Sequence, residues 1–110
     1  MPQDTKTLNK LRLALEALAS DERDRHMNAA EMQVFLWSAI QPGITQKELA
    51  ERVEIAQSET SRIVTLFSAY KGQGYGLLRS EEDPHERRRK VVCLTPKGER
   101  IADNIVELLK

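Results

Sequence analysis

Thr45-Gln46-Lys47-Glu48-Leu49-Ala50-Glu51-Arg52-Val53, followed by Glu54-Ile55-Ala56 and then Gln57-Ser58-Glu59-Thr60-Ser61-Arg62-Ile63-Val64, is the stretch that decides the fold. Thr45 and Glu48 stand at capping-box spacing, with a hydroxyl and a carboxylate that satisfy opposite backbone donors. They open a short helix that buries Leu49, Ala50 and Val53. Three or four residues turn the chain, and a second helix is expected from about Gln57 to Tyr70. Its periodicity turns Ile63, Leu66, Phe67 and Tyr70 inward and Ser58, Glu59, Ser61, Arg62 and Thr65 outward. Two helices thus meet across a tight turn, and the second presents a small, polar outer face.

Downstream, Lys71-Gly72-Gln73-Gly74-Tyr75-Gly76 reads as a loop because glycine punctuates it. Leu77 to Ser80 and Arg89 to Leu94 are short runs with β-branched residues, separated by polar, proline-containing Glu81 to Arg88. That pattern predicts a β-hairpin with a long tip. Thr95-Pro96 is a cap followed by proline at the first helical position, and Ile101, Ile105, Leu108 and Leu109 carry an apolar stripe to the end. Upstream, Leu8, Leu11, Leu15 and Leu18 mark an amphipathic helix over residues 5 to 20. The stripe suits either a coiled coil or packing on its own domain. Asp21 to Met27 is charged and aperiodic, so it reads as a linker. Asn28 with Glu31 caps another helix whose expected inner face is Met32, Phe35, Leu36, Ala39 and Ile40, ending before Pro42-Gly43.

The order of four helices, a hairpin and a final helix is the plan of a winged helix-turn-helix, mainly α with a small β-hairpin. Residues 28–96 form the expected winged unit. An N-terminal helix and linker (1–27) and a C-terminal helix (97–110) flank it and are candidates for dimerisation.

Length and composition agree with one globular domain: 110 residues, 40% hydrophobic and 31% charged. No apolar run approaches the roughly 20 residues that span a bilayer, and the N-terminus lacks the basic start and apolar stretch of a secretory signal. A cytoplasmic location is expected. Cys93 is the only cysteine and His26 and His85 the only histidines, so neither a disulfide nor a closed set of zinc ligands is expected. There is no nucleophile with a spaced base, no phosphate-cradling glycine loop ending in Lys-Ser/Thr and no paired catalytic carboxylates, so neither an enzyme nor a cofactor is expected. The formal charge is zero, from 17 basic and 17 acidic residues. Residues 84 to 100 nevertheless concentrate Arg87, Arg88, Arg89, Lys90, Lys97 and Arg100 against Glu86 and Glu99. A basic patch on a neutral chain is a local footprint that suits one strip of phosphate backbone.

The helical pair from Gln46 to Val64 resembles the helix-turn-helix of MarR-family bacterial regulators. Asp83-Pro84-His85-Glu86-Arg87-Arg88-Arg89-Lys90-Val91-Val92-Cys93-Leu94-Thr95-Pro96-Lys97-Gly98 is similar to that family's wing and the start of its next helix, commonly Asp-x-x-Asp-Arg-Arg, a strand, and Leu-Thr-x-x-Gly. The resemblance covers about residues 30 to 105. It departs at Glu54, where the family usually has glycine, and at Ala56, where a capping Ser or Asp is common.

The resemblance implies a homodimer that sets two recognition helices, here about 57–70, into successive major grooves of double-stranded DNA, with the basic wing 81–90 on the minor groove or phosphates, usually to repress transcription. A groove about 12 Å wide admits one such helix. By motif position Gln57, Ser58, Glu59, Ser61, Arg62 and Thr65 face DNA from the helix, and Arg88, Arg89 and Lys90 from the wing. Asp83 pairs with Arg87 to shape the wing. Arg62 suits guanine or phosphate, and Glu59 suits a cytosine amine. Leu8, Leu11, Leu15, Leu18, Ile101, Ile105, Leu108 and Leu109 are the candidate dimerisation residues, because the family continues with further helix about where Lys110 falls. Many relatives sense small molecules in a cleft beside the dimerisation part, and its shortness here weighs against an effector. Cys93, Trp37 and Tyr75 are expected to pack rather than to sense oxidants or line a ligand cavity. The second functional reading is a winged-helix module that binds another protein, for which the neutral charge and Glu59 speak.

Overall fold

The computed structural model describes residues 5–19, 27–68, 75–86 and 88–110. The elements are α1 (Thr5–Ala19), α2 (Ala29–Ile40), β1 (Ile44–Thr45), α3 (Gln46–Val53), α4 (Gln57–Phe67), β2 (Leu78–Glu82), β3 (Lys90–Leu94) and α5 (Pro96–Leu109). No described helix is long and apolar enough to cross a membrane. The linker expected over 21–27 lies outside the described residues except for Met27, which is buried. Tyr70, His26, Arg87 and residues 71–74 of the glycine loop also lie outside them.

Helix starts follow the capping chemistry. Asn28 Oδ1 accepts from the Glu31 N–H while Glu31 Oε1 accepts from the Asn28 N–H, each at 2.8 Å. Thr45 Oγ1 accepts from the Glu48 N–H at 3.0 Å, and Glu48 Oε1 accepts from the Thr45 N–H at 3.2 Å. These hydrogen bonds from Thr45, first its backbone and then its side chain, hold the Glu48 carboxyl below its ordinary pKa, aided by Gln41 and Arg52 against a small opposing effect of burial. A carboxylate with a depressed folded-state pKa stabilises the fold above its unfolded pKa and loses that contribution as pH falls through the folded value. Thr45→Ala is therefore expected to lower stability by about 1 kcal/mol at neutral pH, with a gap that narrows in acid; urea melts at pH 7 and pH 3 would show both.

α2 is rotated from the expected face. Phe35 points inward as expected, but Glu31, Val34 and Ser38 complete the buried stripe, while Leu36 lies at the surface and Ile40 is 68% exposed. The polar members tolerate burial because each has a local partner: Glu31 closes the capping box and the Ser38 hydroxyl donates to the Val34 carbonyl at 2.8 Å. α4 keeps its expected faces, with Ile63 and Phe67 buried and Ser58, Ser61, Arg62 and Thr65 exposed. It ends at Phe67 rather than near residue 70. Ser68 turns to extended backbone, and its hydroxyl donates at 2.8 Å to the Val64 carbonyl, which also accepts the Ser68 N–H at 3.1 Å.

The hairpin is part of a three-stranded antiparallel sheet of order β1-β3-β2. β1 pairs Ile44 with Val92 and Thr45 with Val91; β2 pairs Leu78 with Leu94 through to Glu82 with Lys90. β2 runs two residues further toward the tip than expected, to Glu82, and β3 begins at Lys90. Ile44, Leu49, Ile63, Phe67, Leu77, Leu78 and Val92 fill the core between sheet and helices. Tyr75 joins it, with its ring 5.5 Å from that of Phe67, and Arg52 stacks over the half-buried Trp37 ring at 5.2 Å. Cys93 is a half-buried free thiol on β3.

The two departures in the helix-turn-helix turn have visible backbone consequences. Glu54 caps α3 in the left-handed region at φ 62°, and Ala56 starts α4 with no side-chain hydrogen bond to the helix. A Cβ is disfavoured at the first position and a hydroxyl is missing at the second. Glu54→Gly and Ala56→Ser are each expected to raise stability, by up to about 1 kcal/mol apiece, read as an upward shift of the thermal midpoint.

Candidate nucleic-acid interface

Three parts of the chain converge on one side of the molecule. The outer face of α4 supplies Ser61 and Thr65, the wing supplies Ser80 and Lys90, and the start of α3 supplies Gln46; with Val64 and Ser68 they line a groove of about 460 Å³. A second concavity of about 350 Å³ adjoins it, lined by Thr45, Gln46, Lys47, Arg88, Arg89 and Lys90. Gln46 and Lys90 belong to both, so helix face, wing and α3 N-terminus form one continuous surface. The pairing of Thr45 with Val91 explains this, because it holds the first residues of α3 beside the wing's base. Periodicity and motif position do not single out Gln46, Lys47 or Ser80. The signal for the first two is Ile44-Thr45 as a strand, which two residues cannot announce.

Gln57 and Ser58 are exposed at the start of α4. Glu59, one turn before Arg62, is ion-paired to it: the Arg62 Nε donates to Glu59 Oε2 at 3.2 Å, and Nη2 donates to Oε1. The hydrogen bond from Arg62 holds the Glu59 carboxyl below its ordinary value, and the same contact raises the Arg62 pKa.

The wing turn is organised by Asp83. Its Oδ1 accepts from the His85 N–H at 2.9 Å, and its Oδ2 pairs with Arg89 Nε at 3.0 Å. The backbone closes the same loop, with Asp83 N–H to the Arg89 carbonyl and Arg89 N–H to the Glu86 carbonyl, both 2.9 Å. Principally the His85 N–H, and then Arg89, hold the Asp83 carboxyl below its ordinary value. The expected partner Arg87 lies outside the described residues; among the described residues Arg89, whose carbonyl accepts the Asp83 N–H across the turn, is the arginine that grips the aspartate. Arg88 and Lys90 are exposed.

The candidate dimerisation residues divide. Leu18 and Ile105 are buried in the chain's own core, where α1 packs on α5, and Ile101 and Leu108 are half-buried. Leu8, Leu11, Leu15 and Leu109 are 40–54% exposed, and Val106, which the stripe omits, joins them. The amphipathic pattern marks both faces of this helix pair, and the intramolecular one takes the bulk of two of its residues.

No protein-family model and no curated protein matches the chain. Solved structures do. MarR aligns with a TM-score of 0.64 at 23% identity, over 98% of this chain and 75% of that one. The S. aureus MepR-DNA complex aligns at 0.69 and 16% identity, over 94% and 75%. The PcaV transcriptional regulator from Streptomyces coelicolor, in complex with its natural ligand, aligns at 0.63 and 22%, over 93% and 67%. The fold is thus the MarR-like winged helix: five helices and a small antiparallel sheet.

Proposed function

We propose that the chain is a sequence-specific, double-stranded DNA-binding transcriptional regulator of the cytoplasm, acting as a homodimer and as a repressor, without enzymatic activity or cofactor. The observation that carries this reading is the continuous surface on which the polar face of α4, the basic wing residues Arg88 and Lys90, and Gln46 and Lys47 meet. α4 fits a major groove, and the wing then reaches the adjacent minor groove or phosphates. The shared fold adds support, since MepR was solved as a DNA complex. Dimerisation is assigned to the α1/α5 pair, whose Leu8, Leu11, Leu15, Val106 and Leu109 form an apolar stripe open to a second copy.

A genome-fragment binding selection at about 150 mM salt, with light scattering on the same sample, tests it. The expected result is a dimer that enriches an inverted repeat with half-sites about one helical turn apart. A monomer with no enriched sequence would instead support the second reading, a protein-binding winged helix, which the neutralisation of Arg62 by Glu59 favours. Salt separates the two: DNA affinity falls steeply with salt, whereas an apolar protein interface is far less sensitive.

A further inference from the structure

We propose that Glu59 is a positioning residue that fixes the Arg62 guanidinium end-on toward the major groove, so that the pair acts as one reader of a guanine in each half-site. The proposal rests on the DNA-binding reading above. An arginine carries five N–H donors in a rigid plane, and a carboxylate can engage it along the Nε/Nη2 edge or along the Nη1/Nη2 end. Glu59 takes the first: Nε to Oε2 at 3.2 Å and Nη2 to Oε1. Among the described residues, no hydrogen bond engages the end edge, one N–H from each Nη. Two parallel donors on one edge match the adjacent N7 and O6 acceptors that guanine alone presents in the major groove.

Both residues sit on the exposed side of α4, beside Ser58 and Ser61 and within its first two turns, the part of a recognition helix that reaches base edges. The carboxylate also tempers the attraction of Arg62 to phosphates at large. Charge and geometry therefore act together: Glu59 lowers binding to any DNA and raises the difference between the right base and the wrong one.

A structural role for Glu59 predicts something else. An acidic side chain in the first turn favours a helix N-terminus, and α4 has no side-chain cap at Ala56. Two substitutions separate the roles. Glu59→Gln removes the charge, and Glu59→Asp keeps it near the helix end but is one methylene too short to hold the same edge of Arg62.

The experiment measures affinities of wild type, Glu59→Gln, Glu59→Asp and Arg62→Ala for the selected operator, for operators with each base pair replaced in turn, and for a random duplex, with thermal midpoints alongside. Wild type is expected to show one guanine position per half-site whose replacement weakens binding roughly 5- to 150-fold. In both Glu59 variants that penalty is expected to collapse toward the Arg62→Ala value, while Glu59→Gln binds the random duplex more tightly than wild type. Unchanged penalties in Glu59→Gln and Glu59→Asp, with only the thermal midpoint of Glu59→Gln lowered, would overturn the proposal and leave the DNA-binding reading standing. A wild type with no preferred sequence would overturn both.

Discussion

Gly98→Val is expected to lower the stability of the chain by about 3 kcal/mol, and Gly98→Ala by about 1–2 kcal/mol. Gly98 lies in the first turn of α5, where a Cβ would stand 2.3 Å from the Leu77 carbonyl oxygen and 3.4 Å from the Leu94 side chain. The oxygen has little room to retreat, because it accepts the Thr95 N–H at 3.0 Å. Alanine's better helix propensity is worth at most about 1 kcal/mol over glycine, and the overlap outweighs it. With about 4–8 °C in thermal midpoint per kcal/mol for a chain of this size, the valine variant should melt more than about 10 °C below wild type. Circular dichroism during a thermal scan would show it. An unchanged midpoint would mean that α5 can slide away from the sheet at no cost.

Neutralising Arg88 and Lys90 together is expected to weaken DNA binding across all sequences. Each phosphate contact removed takes about 0.9 from the slope of log K against log salt. Two residues on each of two wings remove up to four contacts in a dimer, which at about 150 mM salt corresponds to roughly a 10²- to 10³-fold drop in affinity. Titrations at several salt concentrations measure slope and affinity at once; a slope equal to that of wild type would place the wing away from the backbone. Asp83→Ala provides a sharper comparison, since it removes a negative charge yet releases Arg89 and the His85 N–H that Asp83 now holds. Simple charge counting predicts tighter binding. If the shape of the wing matters more, binding weakens by roughly tenfold, the worth of one charge-assisted hydrogen bond, and that is the expected outcome.

Signals with a fixed local partner are legible in the sequence. The capping boxes at Asn28 and Thr45 and the Thr95-Pro96 start place three helices to within a residue, because donor and acceptor lie three positions apart in the chain. The polar face of α4 is legible for the same reason, through helical periodicity. What fails depends on partners far away. β1 is two residues long and exists only because Val91 and Val92 lie opposite it, so no run of β-branched residues announces it, and Gln46 and Lys47 stay hidden with it. On α2, polarity misleads: Glu31 and Ser38 look like surface residues until their hydrogen bonds are known, and Leu36 and Ile40 look like core. The grip of Arg89 on Asp83 is likewise hidden in the sequence, because it depends on the backbone pairing of the two residues across the wing turn. The dimerisation stripe reads as a single surface, although one amphipathic helix pair has to satisfy its own domain before any neighbour.

β3 is the middle strand of the sheet, and only Thr95 separates it from α5. That residue is held by its N–H to the Leu77 carbonyl at 3.0 Å, by its hydroxyl to the Gly76 carbonyl at 2.6 Å, and by the Gly98 N–H to its Oγ1 at 3.0 Å. The strand that begins at Lys90 beside the wing therefore runs into the helix that carries Val106 and Leu109 with a clamped joint between them. Wing and helix seam behave as two ends of one strut. In the dimer proposed above, the angle at which two copies meet along α1 and α5 would set the distance between their wings, and the chain would measure its binding site with a rigid ruler rather than a tether.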